Sequence, residues 1–472
     1  MGNDQEWTPD LNPSNTSEVL AHIPSGNASV VDRAAEAAHS AFAKWKATSG
    51  PERAEILHRA ANLLAQRRQD IATLVALEVG KPVGEAGQEV DRGVVILRYF
   101  AEEAVHPMGM VIPAQTAGSL QFTLRQPLGP VAVISPWNFP VAIPLWKIAP
   151  ALAYGNTIVW KPAETASLTA TRLTAVFAEA GMPKGVLNLT LGKGSRIGSA
   201  LIDHEAIRGI TFTGSNAVGM GIAEHAARRN IKYQLEMGGK NAALVLADAD
   251  LSQAARLVAS GAMRYAGQKC TATSRAIVAK EVTDAFLDCL KSEIQALPLA
   301  PAIDPTSAIG PLITSDAIEK VSKYAEMSFK MGQVVTGGHR PGAEKFKQGF
   351  FLEPTVVVDV PNDSSVVQEE IFGPLLTVQR AQSIDEVLSL ANSTNFGLSV
   401  ALFTRDINAA LHYIQDIECG MVRVNGDTTG VDPHAPFGGM RASSSHSREQ
   451  GPAAIEFFTE TKTVQINPAA GR

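Results

Sequence analysis

Residues 131–162, VAVISPWNFPVAIPLWKIAPALAYGNTIVWKP, hold two short apolar runs on either side of a longer one. VAVIS (131–135) and NTIVWKP (156–162) are rich in β-branched residues and bounded by Pro, Gly and Asn, as buried strands are. The segment between them reads as a helix running into ALAYG. A strand, a helix and a second strand in close succession form a βαβ unit, whose strands are parallel and covered on both faces.

The same alternation continues downstream. The helix SLTATRLTAVFAEAG (167–181) is closed by Gly181 and Pro183, and VLNLT (186–190) follows. A short helix around Ser195–Leu201 leads to GITFTGS (209–215), and another starts near Asn216 and leads to YQLEMGG and the apolar run NAALVL. Parallel sheets of this kind bind ligands beyond the carboxyl ends of their strands, where SPWNFP, WKPAE, GS and EMGG fall. Upstream, residues 27–100 carry helical spacing in VDRAAEAAHSAFAKW and across 53–80, with Gly80, Pro82 and Gly84 as punctuation. A second α/β series begins near Leu251 and includes SRAIVA, FLEPTVVVDV, LLTVQRA, LSVALFT and GMVRVN. TLRQPLG (123–129) and EFFTETKTVQIN (456–467) alternate like exposed strands, which often pair with another subunit.

A chain of 472 residues exceeds one ordinary domain, and 45% apolar against 19% charged residues supplies large cores. The net charge of −6, without any basic block, argues against nucleic-acid binding. Cys270, Cys289 and Cys419 show no paired or Cys/His spacing, so neither a metal site nor a disulfide framework is expected. The N-terminal stretch MGNDQEWTPDLNPSNTSEVL lacks the apolar core of a leader, and Gly2 lacks the Ser or Thr that a myristoylation pattern needs. No uncharged run reaches the ~18 residues of a membrane helix. A cytoplasmic protein without membrane partners is expected.

Cys270 lies in AGQKCTATSR, polar on both sides and just before SRAIVA. A lone cysteine is most often a small buried hydrophobe. Glu236 ends an apolar run before two glycines, and is either a surface charge or an acid facing a cleft. Nucleophile and base together are the minimum for covalent acyl chemistry followed by hydrolysis. Asn138 in SPWNFP is either a turn residue or an amide able to donate to a developing oxyanion.

The motifs ISPWNFP, WKPAE, FTGS, LEMGGKN, GQKC, EEIFGP and PFGG occur in the order and approximate spacing of the aldehyde dehydrogenase superfamily, which the chain resembles from about Trp7 onward. Glu236 lies 34 residues before Cys270, which also fits that family. The resemblance implies a Rossmann-type NAD(P)-binding domain (1–109 and 129–237), an α/β catalytic domain (238–440) and a small β bridging element (110–128 and 455–468) that joins a homodimer or homotetramer. It implies Cys270 as nucleophile, Asn138 and the Cys270 backbone N–H as oxyanion donors, and Glu236 as the base that releases the acid. Lys147 matches a lysine of the catalytic network, though a solvated helix lysine fits the sequence too. Glu460, inside the bridging element, resembles a second glutamate near that network.

For the cofactor, NAD or NADP, the implied contacts are Ile134, Trp137, Lys161, Glu164, Gly214, Ser215, Gly219, Glu370 and Phe372. GxGxxG is absent: GSNAVG offers only Gly214 and Gly219, beside a helix N-terminus that suits a pyrophosphate. Lys161 and Glu164 resemble the pair that grips the adenosine ribose. The glutamate favours unphosphorylated NAD and the lysine would attract a 2′-phosphate, so both cofactors stay open.

GQKCTATSR and GVDPHAPFGGMRASSSHSREQG look most like the 2-oxoglutarate semialdehyde (2,5-dioxopentanoate) dehydrogenases. Arg264 matches an arginine that holds the substrate carboxylate in succinate-semialdehyde dehydrogenases, and is alternatively a surface or interface residue. That pattern's second arginine is replaced by Trp146. Phe139, Trp146, Tyr265 and Phe437 can line a tunnel for aliphatic or aromatic aldehydes, or serve as packing. A CoA-acylating enzyme would lack Glu236, and a non-catalytic binding protein of this fold would have no use for Cys270, Glu236 and Asn138 together.

Overall fold

The computed structural model describes residues 7–106 and 108–469. Residues 1–6, where the leader and lipidation readings begin, lie outside the described residues.

Five parallel strands form the first sheet, in the spatial order Leu187–Leu189, Thr157–Pro162, Pro130–Ser135, Gly209–Thr213 and Lys232–Glu236. Chain order reverses at Pro130–Ser135, so a crevice opens beyond the carboxyl ends of that strand and its neighbour Gly209–Thr213. The connecting helix Ala142–Ala153 is buried at every position, which explains why its sequence is apolar all round. The helical region upstream forms Ala28–Ala47, Gly50–Gln66, Arg68–Val79 and Val83–Glu103. The expected continuous helix across 53–80 breaks at Arg67, and the Ser49–Glu52 capping box starts Gly50–Gln66.

The second sheet has seven strands: Gln333–Thr336, Thr355–Val358, Leu375–Ala381, Arg275–Ala279, Ala242–Val245, Ser399–Phe403 and Met421–Val424. All pairings are parallel except that between the first two. Ala242–Val245 lies inside this sheet, so the second series begins there and not near Leu251. Residues 237–241 alone link Lys232–Glu236 to Ala242–Val245. The carboxyl edge of one sheet therefore faces the amino edge of the other, and the loops entering Arg275–Ala279 and Leu375–Ala381 carry Cys270 and Glu370 into the gap.

A third, antiparallel sheet joins Thr459–Ile466, Leu120–Pro127 and Val111–Ile112. Glu456, Phe457 and Phe458, expected as strand, belong to the helix Ala454–Phe458, where both Phe rings are buried. The hairpin Trp7–Asn12/Asn15–Pro24 was not anticipated, because its second strand is half-exposed along most of its length and shows no clean alternation. Among the described residues, no helix is long and apolar enough to cross a membrane.

Candidate active site

Cys270 is placed by a sharp turn. After the helix Leu251–Met263, Tyr265, Ala266 and Gly267 all take left-handed φ values of 56°, 52° and 67°. Two of the three are not glycine, a strain on the order of 1–3 kcal/mol each that the surroundings must hold. Buried Gln268 does so: its Nε2 donates to the carbonyls of Tyr265 and Pro311, and its Oε1 accepts from Ile313 N at 3.0 Å. Asn241 Nδ2 donates to Cys270 O (2.8 Å) and Ala272 O (2.9 Å), while its Oδ1 accepts from Ser399 N. Cys270 itself is half-buried. Burial, followed by the charges of Glu370 and Glu236, pushes its thiol up to about 12, so the resting sulfur is protonated and needs a base.

A candidate base is at hand. Glu236 ends its strand fully inside the protein, with Oε2 accepting from Ser444 Oγ at 2.5 Å and Oε1 buried without a hydrogen-bond partner among the described residues. Burial and the neighbouring Glu449 raise it well above the usual carboxylate range. A carboxyl tuned upward with one free oxygen can take a proton from a thiol or a water near neutral pH. Glu449 is ion-paired with Lys147, whose Nζ also donates to Thr211 Oγ1 at 3.0 Å. Lys147 is therefore buried in an all-apolar helix, not solvated. Glu460 lies elsewhere: it is exposed on Thr459–Ile466, opposite Gln126 and 3.4 Å from Lys232. The second glutamate of the network is Glu449, whose backbone exchanges two hydrogen bonds with Phe437 and so reaches the site from a loop.

Asn138 is buried, and its Nδ2 donates to Gln268 O at 3.1 Å. One amide N–H is thus tied to the Cys270 loop, and the other is free to donate to an oxygen bonded at the carbon the sulfur attacks.

The cofactor candidates meet in the crevice. Ile134 lies near the carboxyl end of the strand at the order reversal, and Trp137 lies just beyond it. Lys161 and Glu164 lie likewise on its neighbour on one side, paired through Ile134 and Lys161, and Gly214 and Ser215 follow the strand on the other side. Exposed Ser215 makes no side-chain cap on Asn216–Arg229, so that helix offers unblocked N–H groups to a pyrophosphate. Glu164 Oε1 accepts from Gly194 N at 3.1 Å, and among the described residues buried Lys161 donates only to the carbonyl of Pro162. Gly214 and Gly219 serve packing: a Cβ on them would meet Phe212 and Met237 at 2.5 Å. From the facing sheet, Phe372 stands edge-on to Trp137 with ring centroids 5.7 Å apart. Glu370 Oε1 accepts from Gly239 N at 3.0 Å, and burial raises its carboxyl. Two acids, a basic residue, an uncapped helix and a pair of aromatic rings in one crevice suit a dinucleotide.

A cavity of about 190 Å³ opens on Cys270 from the other side. Phe139, Trp146 and Phe437 all line it, the last two with ring centroids 5.2 Å apart. Tyr265 lies behind this wall, buried. Arg264 does not line the cavity; its side chain is 43% exposed, and Nη1 stands 3.9 Å from Glu85. Lys81, Glu85, Glu89, Arg92 and Lys269 do line it, and of these only Lys269, in GQKC, stands in a motif. Gln268, Asn241, Ser444 and Glu449 also escaped the sequence. GQKC, GGKN and the SSS of the 443–445 segment were the signals, and none tells which carbonyl or carboxylate will be met.

The aldehyde dehydrogenase family model matches residues 1–464. The chain is 43% identical over 458 residues to the alpha-ketoglutaric semialdehyde dehydrogenase of Bacillus subtilis, covering 97% of this chain and 94% of that one. It is 37% identical over 468 residues to the 2,5-dioxopentanoate dehydrogenase of Saccharolobus solfataricus, covering 98% and 96%. Betaine aldehyde dehydrogenase of Staphylococcus aureus, solved in complex with NAD+, superposes with a TM-score of 0.96 at 31% identity, over 100% of this chain and 94% of that one. A paired thiol and carboxyl between two facing sheets, carried on a sequence alike along nearly all its length, mean that the chain belongs to the aldehyde dehydrogenase family.

Proposed function

We propose that this NAD(P)-dependent aldehyde dehydrogenase oxidises 2-oxoglutarate semialdehyde to 2-oxoglutarate by a water-hydrolysed thioester on Cys270. Glu236 takes the thiol proton as sulfur bonds to the aldehyde carbon, and the carbonyl oxygen gains the negative charge. The Asn138 amide and the Cys270 N–H hold that oxyanion. When bound, the nicotinamide accepts the hydride that leaves this carbon, and the C–O bond closes to a thioester carbonyl. Glu236 releases the thiol proton to solvent and then takes a proton from water, whose oxygen bonds to the carbon. The thiolate departs, regains a proton, and the acid is released. Lys147 steadies the negative charge of Glu236 through these transfers, while Glu449 raises its affinity for the proton.

The unpartnered buried oxygen of Glu236 beside Cys270 carries the reading, since transfer to CoA would not need a base there. The named substrates of the relatives and the cationic residues in the cavity support a carboxylated aldehyde. Glu164 suits the two hydroxyls of an NAD ribose and Lys161 a 2′-phosphate. On this reading residues 1–109 and 129–237 bind the cofactor and 238–440 carry the thiol. Segments 110–128 and 455–468 join subunits, supported by exposed Val111, Leu120, Leu124 and Ile466 on the third sheet.

The test is a kcat/KM panel with NAD and with NADP over 2-oxoglutarate semialdehyde, succinate semialdehyde, benzaldehyde and hexanal, with and without CoA. The first aldehyde should lead, without CoA, and Cys270→Ala should abolish turnover while still binding cofactor. A CoA requirement, or hexanal leading the panel, overturns the reading.

A further inference from the structure

We infer that Arg92 holds the distal carboxylate of the substrate, and that Arg264 lies outside the site. This rests on the proposed reading that the aldehyde carries a carboxylate.

The helix Val83–Glu103 turns Glu85, Glu89 and Arg92 toward the Cys270 cavity at positions i, i+4 and i+7 of one face. The other charges in that wall already have partners. Lys81 is ion-paired with Glu89 and sits 3.7 Å from the centre of the Phe139 ring. Lys269, next to the nucleophile, is 3.1 Å from Glu85. Arg92 makes no ion pair among the described residues. Its guanidinium donates to the carbonyl of Val431 through Nη1, leaving Nε and Nη2 without protein acceptors. Asp432 and Glu89 act on it through space only, and burial is the larger influence. A half-buried cation with unused donors loses hydration without full compensation, so an incoming anion restores what the fold withholds.

The cavity thus has three parts: the thiol, the paired rings of Trp146 and Phe437, and in the wall a guanidinium without an ion-pair partner among the described residues. A short aliphatic aldehyde ending in a carboxylate matches all three. Two free N–H groups on a planar fork can bind a carboxylate bidentately, which a lysine cannot. Arg264 does not have the position for this, standing outside the cavity with an exposed side chain near Glu85.

The experiment compares wild type, Arg92→Gln, Arg92→Lys and Arg264→Ala on 2-oxoglutarate semialdehyde and pentanal, which match in carbon number. Wild type should prefer the acid. Arg92→Gln should lower the ratio of the two kcat/KM values by about 10- to 100-fold, mainly through KM for the acid. Arg92→Lys should restore part of that loss, and Arg264→Ala should leave the ratio near wild type. A ratio unchanged in Arg92→Gln, or one that collapses in Arg264→Ala instead, overturns the inference while the proposed function stands. Absence of any acid preference in wild type overturns the proposed function itself, before any substitution. Should Arg92→Gln lose pentanal turnover through misfolding, Arg92→Lys decides: a several-fold higher KM for the acid supports the assignment, and an unchanged one refutes it.

Discussion

Glu236 shows how much one side chain gains from its neighbours. An ordinary carboxyl at neutral pH is fully ionised and a poor base. Burial and Glu449 raise Glu236, so its base form is populated only as pH climbs beyond the usual carboxylate range, and turnover should rise with pH through that limb. In Glu236→Gln the thioester forms more easily than it is cleaved. The expected result is a burst of about one reduced cofactor per site, a steady-state kcat lower by about 10²- to 10⁴-fold, and loss of that acid limb. Rapid-mixing absorbance decides it; undiminished steady turnover would assign hydrolysis to another group. Cys270, Glu236 and Asn138 were legible because each stands in a short contiguous motif. Lys147 was legible only as a match, since a helix lysine looks solvated until its helix is seen to be buried on every side. Glu449 was missed, and Glu460 named instead, because pairing with Lys147 spans some three hundred residues.

At the scale of elements, the five residues linking the sheets do several jobs at once. Gly239 passes its N–H to Glu370, Asn241 holds the Cys270 carbonyl, and a Cβ on Gly238 would meet Glu370 Oε2 at 2.2 Å. Gly238→Ala should push the Glu370 carboxylate off Gly239 and raise KM for the cofactor about 10-fold, while iodoacetamide still alkylates Cys270 at the wild-type rate. An unchanged cofactor KM would remove Glu370 from the ribose site. Most strands of both sheets were readable as short apolar, β-branched runs bounded by Gly, Pro and Asn, because they are buried on both faces, whereas the half-exposed edge strand Gln333–Thr336 was not read. The N-terminal hairpin was not, since its order comes from docking rather than from its own residues.

Across the whole molecule, Asp10 ties that hairpin to the body. It is buried, shares a side-chain hydrogen bond with Glu78, and is raised from 3.8 to about 6 by loss of solvent. Glu78 in turn accepts from Leu168 N and Thr169 N at the start of Ser167–Glu179. A folded-state value above the unfolded one means the native state binds more protons. Asp10 therefore contributes stability below about pH 4 and loses it as pH rises through about 6. Relative to wild type, Asp10→Asn should gain in Tm as the buffer moves from pH 4 to pH 7, and a difference in Tm that is flat with pH would refute this.

The sequence by itself determined the fold class and the two α/β series and named the candidates for nucleophile, base and oxyanion donor, because short apolar runs and short motifs are local properties of the chain. Only the tertiary structure decided that the carboxyl edge of one sheet meets the amino edge of the other, and that Glu449 rather than Glu460 joins Lys147. It alone placed Arg92 in the cavity and Arg264 outside it. Which charges face one another depends on packing between segments far apart in sequence, and no local pattern records that distance.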